Sequence, residues 1–321
     1  MMRQQKYHTS RALAAMLACA ALSGAALAQD KAPPQDAPED GERIEIPRDM
    51  TPDGVSRLLN GGAASPAPAD PSSPNPAEPQ TRARSLPSVL AILAHPDDEI
   101  TIAPVLARMA REGGEVTVVF GTSGDQGPGV SALEPGAELA ALREDEARCA
   151  AFAMGLPEPI FWRLGDGALA TMARAPDSAA KGMAERITAL IALQDPQIVI
   201  SWGPDGGYGH ADHRMVSNVV TEIVQAMGAA RPDLLYTAIP AAGADEARPD
   251  LPGFEGWATL DPALITDRIR YDLIDLEATR SAVDCYQSQF DETARAVLPD
   301  LLDRNLWQGT VYFRLAFPPR P

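Results

Sequence analysis

The sequence predicts an α/β domain with a doubly wound, mostly parallel sheet flanked by helices, and three observations predict it. Short apolar runs alternate with longer stretches of helical periodicity. The runs are continuous, as in strands buried on both faces. The segments between them are long enough to cross over the sheet, which parallel neighbours require.

Ser88–Ala94 (SVLAILA) is the first strand, and Glu99–Glu112 the first helix, closed by Gly113-Gly114. Glu115–Thr122 is a second strand. Glu138–Met154 places Leu139, Leu142, Cys149 and Phe152 or Ala153 at helical spacing and stops at Gly155. Pro159–Leu164 is a third strand, Ala179–Leu193 a helix, Gln197–Trp202 a fourth strand, Asp212–Met227 a helix and Leu234–Ile239 a fifth strand. A long helix is expected over Pro262–Gln287, with Ile265, Ile269, Leu273 and Leu276 as its stripe. Thr310–Phe317 reads as a closing edge strand. No internal repeat is present.

The chain of 321 residues divides into three parts. Residues 1–28 read as a secretory signal peptide: Arg3, Lys6 and Arg11 precede the apolar stretch Ala12–Leu27, and Ala26-Leu27-Ala28 makes an A-x-A cleavage site. That stretch is short for a membrane span, which needs roughly 20 residues. Residues 29–85 form a Pro/Ala-rich low-complexity linker, expected to be disordered because it has little to bury. Within it, Ile44–Leu59 has the makings of a small strand or helix. Residues 86–321 are the folded domain. Export to the periplasm or the extracellular space follows, with no membrane insertion after signal cleavage.

The formal charge is −17, and −20 once the three signal cations are removed. Such a balance disfavours nucleic acid or an anionic membrane as partner and suits a small-molecule substrate; the oligomeric state is not legible. Cys149 and Cys285 remain after cleavage. Export allows them to pair, but their place on expected apolar helix faces favours two buried thiols.

In an open parallel sheet, ligands bind outside the carboxyl ends of the strands. The loops there are His95-Pro96-Asp97-Asp98-Glu99, Thr122 to Gly127, Gly165-Asp166-Gly167, and Gly203 to His213. The chain has four histidines, and the three outside the signal, His95, His210 and His213, all fall on this rim. Two imidazoles and a carboxylate with a position left open form a hydrolytic zinc site. His95 and Asp98 are three residues apart across a strand-to-helix turn and can point at one spot, and His213 could complete the set. Ferrous iron would accept the same groups as Zn2+. A cation also explains why several carboxylates crowd together. A helix start accounts for one or two of the acids through capping and the helix dipole, but not for the histidines. Glu99 is the residue that a helix start explains best.

Ala94-His95-Pro96-Asp97-Asp98-Glu99, Arg143-x-x-Glu146, Gly165-Asp166-Gly167 and His210-Ala211-Asp212-His213 together resemble the N-acetylglucosaminyl-phosphatidylinositol de-N-acetylase (PIG-L), or LmbE-like, family, from about Ser88 to Phe317. In the last motif Ala211 stands where the family usually has proline. The resemblance implies a Rossmann-like, LmbE-like fold and zinc bound by His95, Asp98 and His213. It implies Asp97 as general base, His210 as the group that stabilises the oxyanion and assists the leaving amine, and Asp212 as the residue that orients and charges His210. It also implies Arg143, Asp166 and Tyr208 at the substrate, with Asp166 on sugar hydroxyls. For Arg143 the residues alone leave another possibility, an i,i+3 pair with Glu146. The function implied is a secreted, metal-dependent hydrolase that removes an acetyl or other acyl group from an N-acylated sugar or related small molecule such as an N-acetylglucosamine derivative. Alternatives are an amidase of a non-sugar or thiol-conjugate amide and a catalytically silent sugar-binding protein. A dinucleotide-binding oxidoreductase is disfavoured, because no G-x-G-x-x-G follows the first strand.

Overall fold

The apolar runs assemble into the centre of one sheet. The computed structural model describes residues 86–247 and 256–319; the expected signal peptide, the linker and the Ile44–Leu59 patch lie outside the described residues. Strands β1 (Val89–Leu93), β2 (Val116–Phe120), β3 (Ile160–Phe161), β4 (Ile198–Ser201) and β5 (Asp233–Pro240) run parallel in the order β3-β2-β1-β4-β5. The crossovers are helices α1 (Ala103–Arg111), α2 (Ala137–Ala153), α3 (Ala179–Gln194) and α4 (Ala211–Ala226). Every residue of β1 is buried. Its side chains alternate between two cores: Val89, Ala91 and Leu93 pack with Leu106, Phe120 and Phe313, while Leu90 and Ile92 pack with Met183, Ile187 and Val220. A strand covered on both faces has no polar side, which is why its sequence run is unbroken.

The order reverses between β1 and β4, which lie side by side although the chain visits β2 and β3 between them. Such a switch point opens a crevice at the carboxyl ends of the two strands, where the loops carrying His95 and His210 begin.

The carboxy-terminal third differs from the sequence expectation. No single helix spans Pro262–Gln287. The segment makes a 3-10 turn (Pro262–Leu264), strand β7 (Asp267–Arg270) and helix α5 (Leu273–Asp284), after a short strand β6 (Thr259–Leu260) that pairs with β5. Along Asp267–Arg270 half-buried and exposed residues alternate, although Ile269 is the one apolar side chain of the four. Asp272 then starts the helix, its backbone N–H donating to the Asp275 carboxylate. Leu273, counted in the expected stripe, is 78 % exposed. Strand β8 (Thr310–Leu315) is not an edge: it pairs antiparallel with both β5 and β7, so β7 is the outer strand. Helix α6 (Glu292–Leu302), with Pro299 inside it, had no sequence expectation.

Helix α2 turns a different face inward than its hydrophobic spacing suggests. It buries Leu139, Arg143, Glu144, Glu146, Ala147 and Ala150, while Leu142 and Phe152 are exposed. Cys149 shares that outward face and forms a disulfide with Cys285 at the end of α5, with Cα atoms 5.8 Å apart. The favoured reading of two buried thiols is therefore corrected. The bridge joins positions 136 residues apart. Replacing both cysteines with serine is expected to lower the unfolding free energy by about 2–5 kcal/mol, read as a fall in the denaturant midpoint. Reductant should reproduce that shift in the unsubstituted protein and leave the double variant unaffected. No helix among the described residues is long and apolar enough to cross a membrane.

Candidate active site

The β1 loop is built around Asp98. One carboxylate oxygen, Oδ2, accepts the backbone N–H groups of Ala94 and His95 and the indole N–H of Trp202. The other, Oδ1, is left to face the crevice. Asp97, just before it, has φ 94°, in the left-handed region that a non-glycine residue enters only when its surroundings compel it. Its N–H donates to Glu99 Oε2, and Glu99 in turn accepts the hydroxyl of Tyr286. Glu99 is 2 % exposed; the sequence suggested only a helix-start residue, but the side chain latches the strained turn from below.

The β4 loop supplies the opposite wall. Trp202 directly follows the strand and stacks on His213, with ring centroids 4.4 Å apart and planes within 6°. The following turn, Gly206–Gly209, passes directly over the indole. A Cβ at Gly207 (φ +73°) would lie 2.5 Å from the Trp202 ring, so only glycine fits there. His210 caps α4, its Nδ1 accepting the backbone N–H of Asp212. Ala211 therefore occupies the first helical position, where proline is also well tolerated.

These two loops bring His95, Asp98 and His213 together. His95 Nδ1 is 3.2 Å from His213 Nε2, His213 Nε2 is 3.0 Å from Asp98 Oδ1, and His95 Nδ1 is 3.9 Å from Asp98 Oδ1. The point equidistant from the three atoms lies about 2.0 Å from each, the length of a zinc–nitrogen or zinc–oxygen bond. The far side of each donor is anchored as a metal ligand requires. His95 Nε2 faces Asp166 Oδ1 at 3.0 Å and Asp212 Oδ2 at 3.3 Å, so it holds the proton and leaves Nδ1 as the lone pair. His213 Nδ1 faces the carbonyl of Gly206, which frees Nε2.

Charge points the same way. The carboxylates of Asp97, Asp98, Asp166 and Asp212 gather around His95, and the Arg143 guanidinium bonds to Asp97. Burial alone would depress the His95 imidazole, yet Asp166, Asp212 and Asp98 outweigh it and hold its pKa well above the ordinary histidine value. Asp98 is held well below the usual carboxylate range, because His213 and His95 overcome the effect of burial. A divalent cation meets the same electrostatic demand. Ring nitrogens of His95, His210 and His213 also lie within 4.8 Å of one another, as do donor atoms of His95, Asp166 and Asp212. The latter pair meets the protonated edge of His95, so Asp166 and Asp212 support that ring from behind.

Three expected partnerships are corrected. The Asp212 carboxylate does not orient His210: its Oδ2 accepts the Gly167 N–H at 2.7 Å and faces His95, and it is the Asp212 backbone that fixes His210. Asp166 is engaged with His95 and with the Gln126 N–H, and does not stand open to sugar hydroxyls. Arg143 is 3 % exposed. Its guanidinium donates to the carbonyls of Gly124 and Pro96 and to Asp97 Oδ2, so it clamps two loops and holds Asp97. Glu146, its suggested i,i+3 partner, instead accepts the N–H and hydroxyl of Ser288.

Asp97 keeps a side chain 21 % exposed at the mouth of the crevice. Burial pushes its carboxyl up to about 7 against the opposing pull of Arg143. Burial and the neighbouring imidazoles push His210 down to about 4. It is therefore neutral, with its proton on Nε2, since Nδ1 accepts. Tyr208 lies beside His210 and His213, with ring centroids 6.0 and 5.2 Å away. Trp202, Tyr286 and Ser288 escaped the sequence reading. Only Trp202 carried a signal there, as a large polar-edged ring at the carboxyl end of a rim strand.

The sequence matches the family described as PIG-L: GlcNAc-PI de-N-acetylase over residues 90–226. A 1D-myo-inositol 2-acetamido-2-deoxy-alpha-D-glucopyranoside deacetylase from Rhodococcus jostii (strain RHA1) is 31 % identical over 238 residues, covering 63 % of this chain and 81 % of the relative. Among solved structures, the N,N'-diacetylchitobiose deacetylase from Pyrococcus horikoshii aligns with a TM-score of 0.50 at 18 % identity, over 71 % of this chain and 83 % of that one. A deacetylase of the teicoplanin biosynthesis pathway aligns with a TM-score of 0.51 at 18 % identity, over 72 % of this chain and all of its own. These two likenesses are of fold.

Proposed function

The chain belongs to the GlcNAc-PI de-N-acetylase (PIG-L) family, and we propose that it is a metal-dependent hydrolase that removes an acetyl group from an N-acetylated sugar or a similar small molecule. The observation that carries this reading is the convergence of His95 Nδ1, Asp98 Oδ1 and His213 Nε2 on one point, with the other edge of each side chain already engaged. The relative from Rhodococcus, named for deacetylating an N-acetylated glucosaminide, supports the substrate class.

His95, Asp98 and His213 would hold the cation, zinc or ferrous iron. When bound, it would polarise an amide carbonyl and acidify a water molecule. Asp97, held by Arg143 beside that position, takes a proton from the water as its oxygen adds to the carbonyl carbon. His210, neutral and protonated on Nε2, donates a hydrogen bond to the oxygen on which negative charge develops. The carbon–nitrogen bond then breaks, and the proton carried by Asp97 passes to the departing nitrogen. A carboxylic acid and an amine result. Asp166 and Asp212 keep His95 in the tautomer that presents Nδ1.

We read the protein as exported. The basic, apolar amino-terminal segment with its A-x-A site supports this, and so does the Cys149–Cys285 bridge, which persists in oxidising compartments.

The test is amine release from N-acetylglucosamine and its glycosides, before and after removal of metal by chelator. Turnover should vanish on chelation and return with zinc or ferrous ion; turnover unchanged in metal-free protein contradicts the reading. Asp166→Asn separates the supporting shell from the ligands. It should weaken metal affinity by about 10–100-fold while saturating metal restores most of the turnover. Unchanged affinity would remove Asp166 from the His95 support.

A further inference from the structure

We propose that the site takes the acyl part of its substrate into an apolar cavity, and that the chain therefore prefers N-acyl groups longer than acetyl. This rests on the hydrolase reading above and concerns the substrate class of the same site.

A cavity of about 80 Å³ opens beside Asp97 and Asp98. A single water molecule needs only ~10–15 Å³, so there is room for a short alkyl chain. Its apolar walls are Ile100, Trp257, Phe290, Leu298 and Leu302. Ile100, Phe290, Leu298 and Leu302 are all buried and belong to the main hydrophobic core. The cavity thus runs inward from the reacting end. The methyl of an acetyl group needs no such space.

The chemistry of the walls selects the occupant. Apart from the two aspartates, the polar groups lining the cavity include Thr101, whose hydroxyl donates to the Asp98 carbonyl, Gln289, whose amide donates to Gly127 O and Ser288 Oγ, Trp202, whose indole N–H donates to Asp98, and Tyr208 at the end nearest the histidines. No lysine or arginine lines it. Sugar hydroxyls placed among these apolar side chains would leave water for little in return. An anionic group would find no lysine or arginine along the walls to pair with. An uncharged alkyl chain is what remains. The cavity begins at Asp97, where water adds to the carbonyl carbon, and His210 and the Gly165–Gly167 loop take no part in its lining. A chain carried by that carbon enters directly, whereas the amine departs with the bond on the other side.

The experiment compares N-acetyl-, N-butanoyl- and N-hexanoylglucosamine with octyl 2-acetamido-2-deoxyglucoside, using the metal-loaded full chain and following amine release. The proposal expects kcat/KM to rise about fourfold per buried methylene along the acyl series, with no comparable gain from the octyl glycoside. A gain confined to the octyl glycoside would put the alkyl chain on the amine side and overturn the proposal. So would cleavage of the acetyl compound with no gain in either arm. Failure to cleave any N-acyl glucosamine would instead overturn the hydrolase reading on which the proposal rests. Leu302→Trp, which fills the cavity, should lower the hexanoyl-to-acetyl ratio of kcat/KM at least tenfold. Leu298→Ala, which widens it, should raise that ratio, so the proposal stays exposed to contradiction if one of the two variants fails to fold.

Discussion

Asp97→Asn is expected to lower kcat by about 10²–10⁴-fold while the cation remains at the level of the unsubstituted protein. The substitution isolates proton transfer from structure. Asparagine matches aspartate in size, tolerates the left-handed backbone at φ 94°, and presents a carbonyl oxygen that can still accept from Arg143. What it lacks is a basic carboxylate. Turnover and metal content measured on the same preparation decide the role. A loss of less than tenfold would remove Asp97 from the proton-transfer step, and loss of the cation would make Asp97 a ligand.

His213→Ala is expected to abolish turnover by emptying the cation position, with a fall in metal affinity larger than the ~10–100-fold expected for a supporting residue. His213 is completely buried, under Trp202 and against Asp98 and His95. Its removal leaves a ring-sized space with the Gly206 carbonyl on one side and Asp98 Oδ1 on the other. Added imidazole should therefore restore part of both metal binding and turnover. A folded His213→Ala protein that still binds one cation with unchanged affinity would remove this residue from the set.

The central strands and the rim loops were legible in the sequence because their residue types suit few other surroundings. A run such as Val89–Leu93 with no polar residue must be covered on both faces. Histidines absent from the rest of the domain but gathered on one rim point to shared work. The partners of Asp166, Arg143 and Asp212 were not legible. Each is a short-range choice between groups far apart in the chain: Asp166 meets His95 across 71 positions and Arg143 meets Asp97 across 46. Helix α2 misled for a related reason. It buries Arg143, Glu144 and Glu146 because each has an acceptor or donor waiting inside, for Glu144 the Ser123 hydroxyl, so hydrophobic spacing pointed to the outward face and took Cys149 with it. Between 262 and 287 an accidental four-residue spacing of Ile265, Ile269 and Leu273 imitated a helix, while the strand Asp267–Arg270 has a single apolar residue, Ile269, and so carried no alternation to oppose it.

The most direct test is the metal content of the purified, folded chain, measured together with that of His95→Ala, Asp98→Ala and His213→Ala. The geometry predicts one divalent cation per chain in the unsubstituted protein and a marked loss in each variant. Folded protein that binds no divalent cation, or variants that keep it undiminished, would contradict the account.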